Sequence, residues 1–154
     1  KTMDTRETAV VPATTAGIRR ATEAFEAFCL AHVVPAPARR RVLLALDEIL
    51  SNTIRHGRPK GPGAGEATVS MSLAIRADVV LVELVDSAAA FNPLLAPPPD
   101  TTAPLEARTP GGLGIALVRA MMDDVHYERR DGHNVLTLTA RLSKLDAGDP
   151  HADS

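Results

Sequence analysis

The chain has 154 residues, of which 45% are apolar but only 3% aromatic, with no tryptophan and a net charge of −2 at pH 7. That length fits one domain burying roughly two thirds of the surface its unfolded chain exposes, around an aliphatic core. The near-balanced charge offers no footprint for nucleic acid or anionic lipid, no apolar run reaches the roughly 18 residues of a membrane span, and a single cysteine, Cys29, excludes an internal disulfide and points to a reducing, cytoplasmic setting.

Thr8 to Val11 reads as a short edge strand stopped by Pro12. From Thr14 to His32, the residues Ile18, Ala21, Phe25, Phe28 and Cys29 recur at helical spacing behind a threonine N-cap at 14 or 15, which predicts an amphipathic helix. After VPAPA breaks the chain, a second helix is expected from about Ala38 to His56, with Pro37 in its first turn and Gly57 at its stop. Gly57 to Glu66 is a Gly- and Pro-rich exposed loop.

Val69, Met71, Leu73 and Ile75 then alternate with small, mostly polar residues, the period of a strand with one buried face. Beyond a turn at Ala77-Asp78, the run VVLVELVD reads as a central strand ending in Asp86. Asn92 to Pro110 holds six of the 12 prolines and no periodicity, a long loop of the kind that usually carries function. Helix returns at about Gly114 to Asp123, and strands at Val125–Arg130 and Val135–Leu142 form a hairpin around DGHN. A domain over residues 8–142 is expected, followed by a polar, disordered tail over 143–154. The element order predicts an α+β fold, a two-layer sandwich with helices on one face of a mixed, mostly antiparallel sheet.

Three places depart from what packing alone requires. In LDEILSNTIRHG, residues 46–57, the apolar face is Leu46, Ile49, Leu50, Thr53 and Ile54, while Glu48 and Asn52 stack one turn apart, about 6 Å from each other. The pair reads either as a solvated helix face or as a carboxylate orienting a nucleophile beside an amide oxygen that holds a divalent ion to phosphates. Asp86 closes an apolar strand, where a carboxylate must find a partner: loop amides, or the exocyclic amine of a ligand. In TPGGLGIALVRAMMDDV, residues 109–125, a glycine-rich turn opens a helix whose free N–H groups suit an anion, or is simply a flexible turn. The basic run Arg39–Arg41 reads as a solvated face. The five histidines include no pair at zinc spacing, so no structural metal is expected.

In order and spacing these three motifs resemble the ATP-binding domain of the gyrase, heat-shock chaperone, histidine kinase and mismatch-repair (GHKL) superfamily, in the compact form of bacterial anti-sigma factor serine/threonine kinases. LDEILSNTIRHG is similar to the N box, VELVDSAAAFNP to the first glycine box, and TPGGLGIALVRAMMDDVHYER to the second, with the loop between as the ATP lid. The resemblance implies a histidine kinase-like ATPase fold with ATP and Mg2+ as cofactors. It assigns Glu48 to polarise the attacking hydroxyl, Asn52 to ligate magnesium, and Asp86 to receive the adenine amino group. Backbone at Gly111, Gly112, Leu113, Gly114 and Ile115 would meet the phosphates. His56, one turn beyond Asn52, lines the same pocket or caps the helix, and Arg108 in the lid reaches the terminal phosphate or is an ordinary loop arginine.

The family pattern breaks at Ala88 and Ala90, where glycines are usual; if the backbone there needs positive φ, each alanine costs on the order of 1 kcal/mol. The implied activity is a cytoplasmic serine/threonine protein kinase that phosphorylates an antagonist protein and binds a sigma factor or similar regulator, with homodimers common in the family. Two other readings stay open: a nucleotide- or protein-binding regulatory module weakened by Ala88 and Ala90, and a histidine kinase catalytic domain. The second is less attractive because no upstream dimerisation helices with a phospho-acceptor histidine are seen.

Overall fold

The computed structural model describes residues 5–56, 67–95 and 112–143. The loop expected after Gly57, most of the lid with Arg108 and Gly111, and the tail beyond Ser143 lie outside the described residues. In chain order the elements are β1 (Thr5–Pro12), α1 (Thr15–Ala31), α2 (Ala36–His56), β2 (Thr68–Arg76), β3 (Val79–Asp86), a 3-10 turn at Pro93–Leu95, α3 (Gly112–Met121), β4 (Asp124–Arg130) and β5 (His133–Arg141). No helix among the described residues is long and apolar enough to cross a membrane.

The five strands form one sheet in the order β1-β2-β3-β5-β4, so VVLVELVD is the central strand the sequence suggests. Every pairing is antiparallel, which replaces the mixed character expected of the sheet. Connections account for two of the four pairings: β2 to β3 and β4 to β5 are two-residue hairpins, and a parallel neighbour would need a crossover of a dozen residues or more. The second hairpin turns on Asp131-Gly132, both at positive φ (53° and 78°), the backbone that a two-residue type I′ turn demands and that Asp-Gly supplies.

Period two sorts the sheet into faces. Val69, Met71 and Leu73 of β2, Val80, Val82 and Leu84 of β3, and Leu136, Leu138 and Ala140 of β5 point inward. They meet Phe25 and Phe28 of α1, Leu46 and Ile49 of α2 and Val118 of α3 in one buried cluster. The opposite face carries Thr8, Ser70, Ser72, Glu83 and Thr137 across the strands. All three helices therefore lie on one side, giving the two-layer α+β sandwich, and α2 packs between α1 and α3.

Both ends of α1 are closed locally. The Thr14 side chain accepts from the Gly17 N–H at 3.1 Å, as an N-cap should. At the other end the Val34 N–H donates to the Cys29 carbonyl at 2.9 Å around Val33, held at φ 54°, a Schellman-type stop where glycine is the usual residue. Val33 is 83% exposed, so no packing offsets a left-handed β-branched residue. Val33→Gly is expected to stabilise the fold by about 1 kcal/mol, after the greater freedom of glycine in the unfolded chain is subtracted. A rise in the denaturant midpoint at constant m-value would register it.

Candidate functional site

The inward stripe of α2 runs through Val42, Ala45, Leu46, Ile49 and Leu50. Off that stripe, Glu48 is half-buried, but Asn52 is only 1% exposed, which removes the solvated-face reading for it. The Asn52 Nδ2 has no hydrogen-bond partner among the described residues. An orphaned buried polar group of this kind costs about 1–3 kcal/mol. Turning the amide over exchanges nitrogen and oxygen, so the same position can present a carbonyl oxygen, a hard donor that suits Mg2+. No group of three His, Cys, Asp or Glu side chains among the described residues could hold a metal. Magnesium characteristically takes one or two protein oxygens and completes its shell with phosphates and water, so Asn52 fits that role.

Glu48 lies against the first turn of α3. That helix begins at Gly112, two residues earlier than periodicity suggests, so Gly112 and Gly114 are inside it rather than in a turn ahead of it. A Cβ on Gly114 would overlap Oε2 and Cδ of Glu48 and come within 2.8 Å of its Cγ. Glycine at 114 is what lets the helix start close on the carboxylate. The first-turn N–H groups, at Gly112, Leu113, Gly114 and Ile115, have no acceptor within the helix and carry the positive end of its dipole. The Ile115 side chain itself is buried in the core, leaving only its backbone for a ligand.

One turn along α2, a small cleft, partly open to solvent and with room for about one water, is lined by Ile49, Leu50 and Thr53, by Asp86 at the end of β3, and by Phe91, Tyr127 and Asn134. Asp86 Oδ1 accepts from the Ala88 N–H at 3.0 Å and from Asn134 Nδ2 at 2.8 Å. Asn134 sits directly across from Asp86 in the β3–β5 register. It also donates to the Ala89 carbonyl at 3.0 Å and accepts from the Phe91 N–H at 3.1 Å and the Tyr127 hydroxyl at 2.6 Å.

The Arg129 guanidinium ties down the Ala88 carbonyl at 2.8 Å. Among the described residues, the non-glycine positions with positive φ are Val33, Ala77 and Asp131, so neither Ala88 nor Ala90 bears the strain that their replacement of glycine suggested. The loop is held by side chains rather than permitted by glycine.

The structure thus brings Glu48 to Gly114, and Asp86 to the neighbouring turn of α2. His56 is exposed at the end of α2, its ring 6.1 Å from that of Phe91, and does not line the cleft. Arg108 and Gly111 lie outside the described residues. Sequence reasoning missed Asn134 and Tyr127. The signal was there for Asn134: stepping back by two from Leu136 puts it on the inward face, where a polar side chain has to be bonded. Cys29 is no nucleophile, since burial pushes its thiol up to about 11 despite the nearby Arg39.

Comparison with known proteins identifies the family and the fold. Residues 11–140 match the family described as the histidine kinase-like ATPase domain. The serine/threonine-protein kinase BtrW of Bordetella bronchiseptica is 36% identical over 105 residues, which cover 67% of this chain and 72% of that protein. The structure of the RsbU and RsbW domains of Rv1364c from Mycobacterium tuberculosis matches 92% of this chain with a TM-score of 0.61 at 16% identity, a likeness of fold; this chain spans 33% of that one. The family match takes in α2, β3 and α3 together, and the chain belongs to the histidine kinase-like ATPase domain family.

Proposed function

We propose that the chain is an ATP-dependent serine/threonine protein kinase of anti-sigma factor type, using Mg2+, that acts in the cytoplasm on an antagonist protein and binds a sigma factor or similar regulator. The observation that carries this reading is the contact between Glu48 and the start of α3, made by the same helix whose next turn lines the Asp86 cleft. An adenine enters between the apolar walls of Ile49, Leu50 and Leu136, which must part to widen the small cleft, and donates its exocyclic amine to Asp86. Its phosphates follow α2 toward the free N–H groups of α3. Asn52 supplies the oxygen for magnesium, which when bound neutralises phosphate charge.

Glu48 accepts the proton of a serine or threonine hydroxyl as that oxygen bonds to the γ-phosphorus; the bond from phosphorus to the β–γ bridging oxygen breaks and ADP leaves. The protein-kinase activity in the name of BtrW supports the choice of acceptor, and the order of the three motifs supports the anti-sigma type. The reading as a weakened module drew on strain at Ala88 and Ala90, which neither position carries.

Incubation with Mg2+, γ-labelled ATP and a cognate antagonist domain should label a serine or threonine of that domain; no label with the unmodified protein contradicts the reading. Gly114→Ala tests the contact separately. The new methyl displaces the Glu48 side chain from Cγ outward, and labelling should fall about 100-fold or more. Because the flexible carboxylate can swing aside, stability should stay within about 1 kcal/mol, as a thermal melt would show.

A further inference from the structure

We propose that Asn134 is a positioning residue that fixes the orientation of the Asp86 carboxylate, turning its second oxygen to the cleft, and thereby sets a preference for 6-aminopurine over 6-oxopurine nucleotides; the proposal rests on the nucleotide reading of the cleft. The orientation of the Asn134 amide is not arbitrary. Its Oδ1 faces the Phe91 N–H, which can only donate, and its Nδ2 faces the Ala89 carbonyl, which can only accept. A flipped amide would set donor against donor and acceptor against acceptor. Two backbone groups thus determine that Nδ2, and not Oδ1, meets Asp86.

With the Ala88 N–H on the same oxygen, Oδ1 of Asp86 is held by two donors, and the described hydrogen bonds leave Oδ2 to the cleft. That oxygen receives the amino group of an adenine. A guanine would bring its O6 to the same place, acceptor against acceptor, with neither group able to recover the bonds it made in water.

The network has a second effect. Asn134 bonds to both Ala89 and Phe91 and, through Asp86, reaches Ala88, so one 5%-exposed side chain shapes the whole loop that carries alanines where relatives in the resemblance carry glycines. Tyr127 completes it by donating to Oδ1, which saturates the amide at four hydrogen bonds. A buried amide with every group engaged is a rigid anchor, and its removal leaves Asp86 free to turn away from the cleft.

Calorimetric titration with non-hydrolysable ATP and GTP analogues in Mg2+ tests this on the unmodified protein and on Asn134→Leu, Asn134→Thr and Tyr127→Phe, each checked for folding by thermal melt. The unmodified protein should favour the ATP analogue by about 100-fold or more. Asn134→Leu, similar in branched outline but without donor or acceptor, should lose about 10- to 100-fold in affinity for the ATP analogue while the GTP analogue changes little, so the preference collapses.

Threonine can still donate to Asp86 and accept from Tyr127, and should recover most of the preference. Tyr127→Phe folds without the outer bond and should lower the preference by about 3- to 10-fold, which keeps the test alive if leucine at 134 prevents folding. A preference in Asn134→Leu or Tyr127→Phe equal to that of the unmodified protein overturns the proposal, as does an equal loss for both nucleotides. An unmodified protein that binds neither nucleotide overturns the nucleotide reading itself, a failure visible before any substitution is made.

Discussion

Glu48→Gln is expected to lower phosphotransfer by about 10²- to 10⁴-fold while nucleotide affinity stays within about threefold. Glutamine has the shape of glutamate, so it still fills the space that Gly114 leaves open against Oε2 and Cδ. What it lacks is a strong proton acceptor and a negative charge; losing the base lowers the rate, whereas losing a charge beside the phosphates does not weaken nucleotide binding. Uniform loss of binding would raise KM and leave kcat alone; loss of the base lowers kcat. Single-turnover transfer from saturating labelled ATP to the antagonist domain, set beside calorimetric affinity, separates the two. If affinity and rate fall together by the same factor, Glu48 holds substrate and is not the base.

Asn52→Leu should separate stability from function in opposite directions. Asn52 is 1% exposed with its Nδ2 unbonded among the described residues, so the fold carries the cost of a buried polar group without the bond that would offset it. Leucine keeps the branched outline of asparagine and removes that group, although its methyls are bulkier than the amide atoms they replace. Stability should be unchanged or rise by about 1 kcal/mol, or about 2–4 °C in melting temperature for a chain of this size. Mg2+-dependent binding of an ATP analogue should meanwhile fall by at least about 100-fold, because the only protein oxygen assigned to the ion is gone. Such a trade is the mark of a residue kept for its site and not for its fold. A large loss of stability would show instead that the Asn52 amide serves packing.

Much of this molecule is legible before any coordinates. Helical spacing located α1 and α2 to within two residues at each end, and the alternation from Val69 to Ile75 marked β2 and its buried side. Asp-Gly marked the last hairpin because few residue pairs take two successive positive φ values. Strand order was not legible, since β3 pairs with β5 across an intervening helix and strand, and local pattern holds no record of a partner so far along the chain.

The burial of Asn52 was hidden for a related reason. A single helix viewed alone shows an apolar stripe and its flanks, but not that α3 packs along the Glu48 side. For Asp86, Glu48 and the second glycine box the sequence named the residues, and only the fold could join them through α2. The anchor of the loop at 88–91, Asn134, lies in another strand altogether, and strain inferred at Ala88 and Ala90 from residue type alone disappears once that anchor is seen.

The most direct test of the central claim is a crystal structure of the protein with Mg2+ and a non-hydrolysable ATP analogue. The expected result is an adenine in the cleft of Ile49, Leu50 and Asn134 with its amino group on Asp86 Oδ2, the ion on Asn52, and the γ-phosphate within reach of Glu48 beside Gly114. A nucleotide bound elsewhere, or a cleft that stays closed at saturating analogue, would contradict it.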